Sequence, residues 1–406
     1  MRRGSIIPAI RALQPPPYYY DGIHLDFGYG AGALGCYVKA AGAAPTIAGL
    51  TTLFTFTGGA ESMYMGPAGL LVQSVTNTPR IEYAANGNCL GLLMEASRTN
   101  LMVRSQALAT SPWFNSNLTS IANNTTDVTD PAGGNNATKI VSPGGATGVG
   151  CGATLTAVVH TGSIWLRCAT GTVATDLIVY LSGSPFTSIG SASHTITTTW
   201  QRFTVVTSAA TAASYNLQLN GIGAGTVYAY GAQLEAGAFA SSYIPTTTVS
   251  VARTADSCIR TLGSEFSATA GTVVVAGRAS GGQDPGNQHL YSFDNATNAE
   301  AYRAYRNGAT DTVVSLVTDG GVTQAQIATD SFTNSTAFKL AVALQVNDYA
   351  YSFNGGAVST DVILTMPTPT QLTLAGTGFN VTPMNGHIRR FDYYPTRLPN
   401  GFLTSA

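Results

Sequence analysis

The chain is written in short runs of alternating residues, and this alternation restricts its fold more than any other feature. Ser163-Ile-Trp-Leu-Arg-Cys168, Thr199-Trp-Gln-Arg-Phe-Thr-Val-Val206, Gly271-Thr-Val-Val-Val-Ala276, His289-Leu-Tyr-Ser-Phe293 and Thr312-Val-Val-Ser-Leu-Val317 are rich in β-branched and aromatic residues. Such residues suit a pleated, half-buried surface, and glycine, proline or asparagine soon closes each run. No stretch holds the 3.6-residue apolar period of a long helix. At most one short helix is expected, near Val38 to Ala44, and the expected fold class is all-β. Only 10% of the 406 residues are charged, but 44% are hydrophobic and 19 are tyrosine. That much apolar surface argues for folded sheet over disorder, in two or three domains.

A net charge of −1 leaves no electrostatic footprint for nucleic acid or an anionic membrane, so a neutral partner such as glycan is expected. Lysines occur only at Lys39, Lys139 and Lys339. Sheets with so little charge to guard their edges are expected to be covered in an oligomer. Pro8 and Arg11 interrupt the apolar run after Met1-Arg-Arg, and no later run is long enough to span a bilayer, so neither signal peptide nor membrane insertion is expected. Cys36, Cys89, Cys151, Cys168 and Cys258 lack metal or redox spacing and read as buried small hydrophobes. A Cys151–Cys168 disulfide is the alternative for that pair.

Along the chain, residues 1–20 end in Pro15-Pro-Pro-Tyr-Tyr-Tyr20 and read as a stiff extended arm. Residues 21–106 read as a small β region, 107–247 as a β-sandwich opening at Ser111-Pro-Trp-Phe, and 248–406 as a second sandwich with a hairpin at Asn354-Gly355. The run from Tyr230 to Thr248, with the link Val249 to Ala255, reads as the seam between the sandwiches.

Several segments occur in a fixed order: Leu53-Phe-Thr-Phe-Thr57, Pro79-Arg80, Gly91-Leu-Leu-Met-Glu-Ala-Ser-Arg-Thr-Asn-Leu101, the seam, and Gly386-His-Ile-Arg-Arg-Phe-Asp-Tyr-Tyr-Pro-Thr-Arg-Leu398. Together they resemble the tail-fibre and head-spike proteins of tailed bacteriophages. The resemblance implies a virion appendage made in the host cytoplasm and displayed on the particle surface. Arm 1–20 and a docking region 21–106 would bind other virion proteins. Residues 107–247 would form a carbohydrate-binding-module-like jelly roll and 248–406 a laminin-G/concanavalin-like sandwich, both directed at host cell-surface polysaccharide. It also implies a homo-oligomer, most simply a trimer. The alternatives are a capsid or tail decoration protein without glycan binding and, less favoured, a glycan-degrading enzyme.

Catalytic patterns are weak. Gly30-Ala-Gly-Ala-Leu-Gly35 fits GxGxxG but lacks a βαβ context and the later acid, so it reads as a turn. His24, His160, His194, His289 and His387 sit beside no nucleophile elbow, and His387 reads as structural. Asp284, Asp294 and Glu300 read as loop acids. No catalytic residue and no cofactor is expected, and the protein reads as a non-enzyme. A structural calcium at Asp127, Asp130 and Asn135 is the metal worth testing, although an Asp/Asn-rich turn needs no metal to explain that composition. For sugar binding, aromatic faces with Arg, Asn or Gln beside them are needed. If Ile164 and Leu166 face the core, Trp165 and Arg167 face outward, and the same alternation groups Arg303, Tyr305 and Asn307. These five are the candidate carbohydrate-binding residues; packing under loops or against a neighbouring subunit is the other reading. Trp113 and Trp200 are expected in the core.

Overall fold

The computed structural model describes residues 20–28, 36–183, 187–279, 286–380 and 382–406. Residues 1–19 of the arm, the glycine turn at Gly30–Gly35 and Asp284 lie outside the described residues. The rest is almost wholly antiparallel β, as the alternation demands.

Residues 114–236 form one sandwich of two five-stranded sheets. One sheet, here the open sheet, runs in the order Phe114–Ser116, Gly148–Leu155, Ala213–Asn220, Val173–Leu181, Ser188–Ile196. The other, the seam sheet, runs Ser120–Ala122, Thr138–Ser142, Gly225–Ala236, His160–Cys168, Gln201–Val206. From Thr138 onward the chain crosses between sheets at every connection but one, the hairpin that joins Val173–Leu181 to Ser188–Ile196, giving the two interleaved Greek keys of a jelly roll. Val149, Cys151, Leu217 and Leu219 from the open sheet meet Ile140, Ile164, Leu166 and Cys168 from the seam sheet in a closed core. Cys151 and Cys168 thus share that core from opposite sheets as free thiols, which corrects the disulfide alternative. Burial raises the Cys151 thiol to about 11.

The second sandwich is larger and departs from the expected domain order. Its ten-stranded sheet follows the path Ser359–Asp361, Asp348–Phe353, Ala337–Gln345, Ala270–Ala279, Gly386–Tyr394, Gly22–Asp26, Cys36–Lys39, Thr46–Ile47, with the hairpin Arg80–Tyr83/Cys89–Met94 branching from the start of Gly386–Tyr394. The facing seven-stranded sheet runs Val322–Ser331, Thr312–Asp319, Ala301–Arg306, Gln288–Asp294, Gln371–Leu374, Ser257–Thr261, Thr55–Thr57. The segment expected to be a separate docking region at 21–106 is therefore largely part of the C-terminal sandwich. The reason is burial. Ile23, Leu25, Phe27, Phe54, Phe56, Leu92 and Met94 would have no opposing layer in a small free-standing sheet, and they fill one continuous core with Val273, Val275, Leu340, Ile388 and Phe391.

Two glycines permit this weave. Gly22 and Gly91 both have φ of 123°, and a Cβ at Gly91 would sit 2.3 Å from the carbonyl oxygen of Ile388. Only glycine tolerates that backbone with so close a crossing. Side chains then tie strands of this ten-stranded sheet together: His24 Nδ1 lies 2.9 Å from Asp392, and His387 Nε2 lies 2.6 Å from Glu82. The helix expected near Val38 to Ala44 is not formed; Cys36–Lys39 pairs with Gly22–Asp26 instead, because Cys36 and Val38 complete the core face. Among the described residues the helices are Leu50–Leu53 and Asn400–Ser405, the latter packing Leu403 on the outside of the ten-stranded sheet.

The jelly roll is thus an insertion. The chain leaves the large sandwich after Met94 and re-enters at Ser257, and the outgoing strand Arg98–Asn100 pairs with the returning strand Val251–Arg253 as a two-stranded neck.

Candidate functional site

The face prediction for the first candidates is met, but the face is covered. Ile164, Leu166 and Cys168 point into the jelly-roll core, and Trp165 points outward into a second cluster with Met63, Leu71, Tyr230 and Tyr243. The hairpin Met63–Met65/Leu71–Gln73 lies over it, Met63 N donating to the Tyr243 carbonyl at 2.7 Å. The guanidinium of Arg202 sits 4.4 Å from the indole ring. At 7% exposure Trp165 has no ring face left for a sugar. Arg167 is half-buried opposite Tyr228.

In the C-terminal sandwich Tyr302 and Ala304 enter the core while Arg303 and Tyr305 share the outer face. That face is covered too. Arg303 donates to Asn298 Oδ1 and lies 5.5 Å from the Phe379 ring, and Tyr305 packs 5.1 Å from the His289 ring. Burial, with Arg303 nearby, lowers the His289 imidazole to about 3. Asn307 has left the strand: its Oδ1 accepts the amides of Ala309 and Thr310 and shapes a hairpin turn. Trp113 is a core residue, its Nε1 donating to the Val103 carbonyl, whereas Trp200 sits half-buried beside the Trp165 cluster and donates to Thr129.

Pro79-Arg80, the Gly91–Leu101 segment and the seam with its link meet at the neck. Arg80, Glu95, Arg253 and Asp256 are each at most 4% exposed. Arg80 donates to Glu95 at 2.7 Å and to Asp256, and Arg253 donates to Glu95 and to the Ala96 carbonyl. Asp256 also accepts the amides of Gly59 and Glu95, and Glu95 accepts the Ser242 amide at 2.8 Å. Burial alone would raise the Glu95 carboxyl; Arg253 and Arg80 hold it far below the ordinary range. Glu235 accepts from Gln233 and Ser241, and Asn100 ties Leu234 to Ile244. Arg80, Glu95 and Arg253 of the motifs, with Asp256 beside them, therefore form a buried charge clamp between the sandwiches.

Acid-rich places elsewhere close on themselves. Asp130 accepts the amides of Ala132, Gly134 and Asn136, and Asp127 pairs with Lys139 at 2.7 Å. These bonds account for the loop considered for calcium. Among the described residues no three His, Cys, Asp or Glu side chains gather as a metal group. Asp294 accepts from Ser292, Gln371 and the Gly378 amide, and Glu300 accepts the amides of Gly320 and Thr368.

One sheet face stays open. On the open sheet Tyr215, Leu217 and Leu219 enter the core, so Ser214, Asn216, Gln218 and Asn220 face solvent from the middle strand. The pairing sets three cross-strand rows: Ser116, Gly148, Asn220, Asp176, Ser193; Phe114, Gly150, Gln218, Ile178, Ser191; and Gly152, Asn216, Tyr180, Ser188. The glycines make room. A Cβ at Gly150 would lie 2.7 Å from the Phe114 ring, and one at Gly148 2.3 Å from Gln218 Nε2, so ring and amide lie flat over bare backbone. Gln218 donates weakly to Asn220 at 3.4 Å, and Asn216 bonds Tyr180, whose phenol is raised by burial.

At the Asn220 end the face opens into a depression of about 330 Å³ lined by Ala174, Thr175, Asp176, Ser193, His194, Thr195 and Gly221. Ser193 donates to Asp176 at 2.6 Å; His194, next along the strand, takes the opposite face, with Nε2 bonded to the Thr204 carbonyl at 3.1 Å. Ser193 therefore has no imidazole base. Chemically the face offers groups that both donate and accept, with an aromatic ring at two corners.

No family model matches the chain, and no curated protein matches it. Solved structures with some likeness include the CBM40 of Ruminococcus gnavus IT-sialidase bound to α2,3-sialyllactose, at 20% identity, covering 34% of this chain and 83% of that one, with a TM-score of 0.30. A CBM4 structure follows at 14% identity, 30% and 86% coverage and a TM-score of 0.26. The binding domain of botulinum neurotoxin serotype D/C VPI 5993 stands at 11% identity, 37% and 40% coverage and a TM-score of 0.30. The jelly-roll assignment rests on the strand pairing above and not on these likenesses.

Phe114, Tyr180, Asn216, Gln218 and Asn220 were missed as candidates by the sequence reading. The signal was present in Ser-Tyr-Asn-Leu-Gln-Leu-Asn220, where three amides alternate with apolar residues, the pattern that had been applied to Trp165 and Arg303.

Proposed function

We propose that this chain is a non-enzymatic, glycan-binding appendage protein of a bacteriophage particle, and that the open sheet of its jelly roll is the surface that meets host polysaccharide. The observation that carries the binding reading is the uncovered row Asn216, Gln218 and Asn220, flanked by Tyr180 and Phe114. Amides in a rigid ladder match sugar hydroxyls, and the rings offer apolar faces to sugar C–H groups. The virion reading is supported by the resemblance of the ordered motifs. On this reading the large sandwich is the scaffold that holds the jelly roll outward, and arm 1–20 docks to other virion proteins in an oligomer, a trimer by preference.

The test is retention of the purified protein on a panel of immobilised bacterial surface polysaccharides. Retention on at least one, with no release of reducing ends, is expected. No retention on any would overturn the binding reading and leave a decoration protein; release of reducing ends would overturn the non-enzymatic reading.

A further inference from the structure

We infer that the open face selects uncharged polysaccharide, with Asp176 as the residue that turns acidic glycans away. This rests on the open sheet being the glycan surface. The lysines and arginines between 107 and 236 are Lys139, Arg167 and Arg202. Each lies on the seam sheet, on the strands Thr138–Ser142, His160–Cys168 and Gln201–Val206. The open face therefore carries no cation in any of its three rows. Among the described residues its only carboxylate is Asp176, placed where the amide ladder runs into the depression of about 330 Å³. Ser193 donates to its Oδ1 at 2.6 Å and fixes the carboxylate at the mouth.

An anionic sugar lying along Asn216, Gln218 and Asn220 would bring its carboxylate toward Asp176 with no guanidinium or ammonium on that sheet to receive it. At a surface the like-charge repulsion is modest but unscreened within a Debye length. Neutral hydroxyls meet no such barrier. Asp176 is thus a specificity-determining residue that works by repulsion, while the amides supply attraction.

The experiment measures retention of the full chain on dextran, mannan and galactan against alginate and polygalacturonate at low ionic strength. Asp176→Asn, Asp176→Lys and Thr195→Lys are run in parallel, each with its melting curve. Thr195 is an exposed residue lining the same depression, so T195K places a cation there if D176K fails to fold. The wild type is expected on a neutral polymer and on neither acidic one. Either lysine variant should raise retention on an acidic polymer about ten-fold, an effect abolished by 0.5 M salt. Wild-type retention on alginate or polygalacturonate equal to or above that on every neutral polymer would overturn the inference and leave glycan binding standing. Folded lysine variants with unchanged retention on the acidic polymers would also overturn it. No retention of any protein on any polymer would overturn both.

Discussion

Glu95 is the residue at which three distant segments meet, through Arg80, Ser242 and Arg253. It is buried, ionised, and held by Arg80, Arg253 and Ser242. Removing one member of such a set leaves an uncompensated buried charge, which costs about 3–5 kcal/mol. Glu95→Gln and Arg253→Met are each expected to lower stability by about that amount in chemical denaturation, with glycan retention of the surviving folded protein unchanged. A loss below about 1 kcal/mol would show that the clamp is solvated. His289 gives a pH test. Its folded value of about 3 lies below the unfolded value of about 6.5. Between those limits the unfolded chain holds a proton that the folded chain refuses, so stability is complete above pH 6.5 and falls as pH drops toward 3. The slope from this group approaches about 1.4 kcal/mol per pH unit. His289→Gln should remove that share of the slope, measured as the difference between the two proteins' denaturation midpoints from pH 4 to pH 7. Parallel curves would contradict the burial.

At the scale of the strand, alternation was legible and cover was not. Ile164 and Leu166 turned inward and Trp165 outward as their order requires, and Tyr302, Arg303, Ala304 and Tyr305 divided in the same way. What lies over an outward face is decided by segments far away in sequence. Met63 reaches Trp165 across about a hundred positions, and Phe379 reaches Arg303 across more than seventy. No local pattern reports that. The open sheet was readable in principle because its strand carries three amides that no core or clamp uses. Gly91 tests the weave at this scale. With φ of 123° and the Ile388 carbonyl at 2.3 Å from an added Cβ, Gly91→Ala is expected to cost about 2–3 kcal/mol in thermal or chemical denaturation. A neutral result would contradict the crossing of Cys89–Met94 over Gly386–Tyr394.

For the molecule as a whole, the domain boundaries read from linear order gave way to an insertion. Three units in series were expected; the strands instead form a large sandwich from both ends of the described chain, with a jelly roll leaving and returning through one neck. A fragment of residues 248–406 lacks Ile23, Leu25, Phe27, Phe56, Leu92 and Met94 from its core. At about 1.5–3 kcal/mol for each buried side chain, about 9–18 kcal/mol for the six, that loss is as large as the whole stability of an ordinary domain, about 5–15 kcal/mol. The fragment is expected to show no cooperative melting transition.

The clamp and the covered aromatics on one side, and the bare amide ladder on the other, make a single claim about where ligand contact occurs. It is tested most directly by calorimetric titration of a retained oligosaccharide into the wild type, the double variant Asn216→Ala/Gln218→Ala, and Tyr305→Phe, each with its melting curve. The double variant should keep a melting temperature near that of the wild type and lose binding by at least about a hundred-fold, two lost polar contacts at about 1.5 kcal/mol each, while Tyr305→Phe binds as the wild type does. Unchanged affinity in a folded double variant would contradict the open sheet as the binding surface.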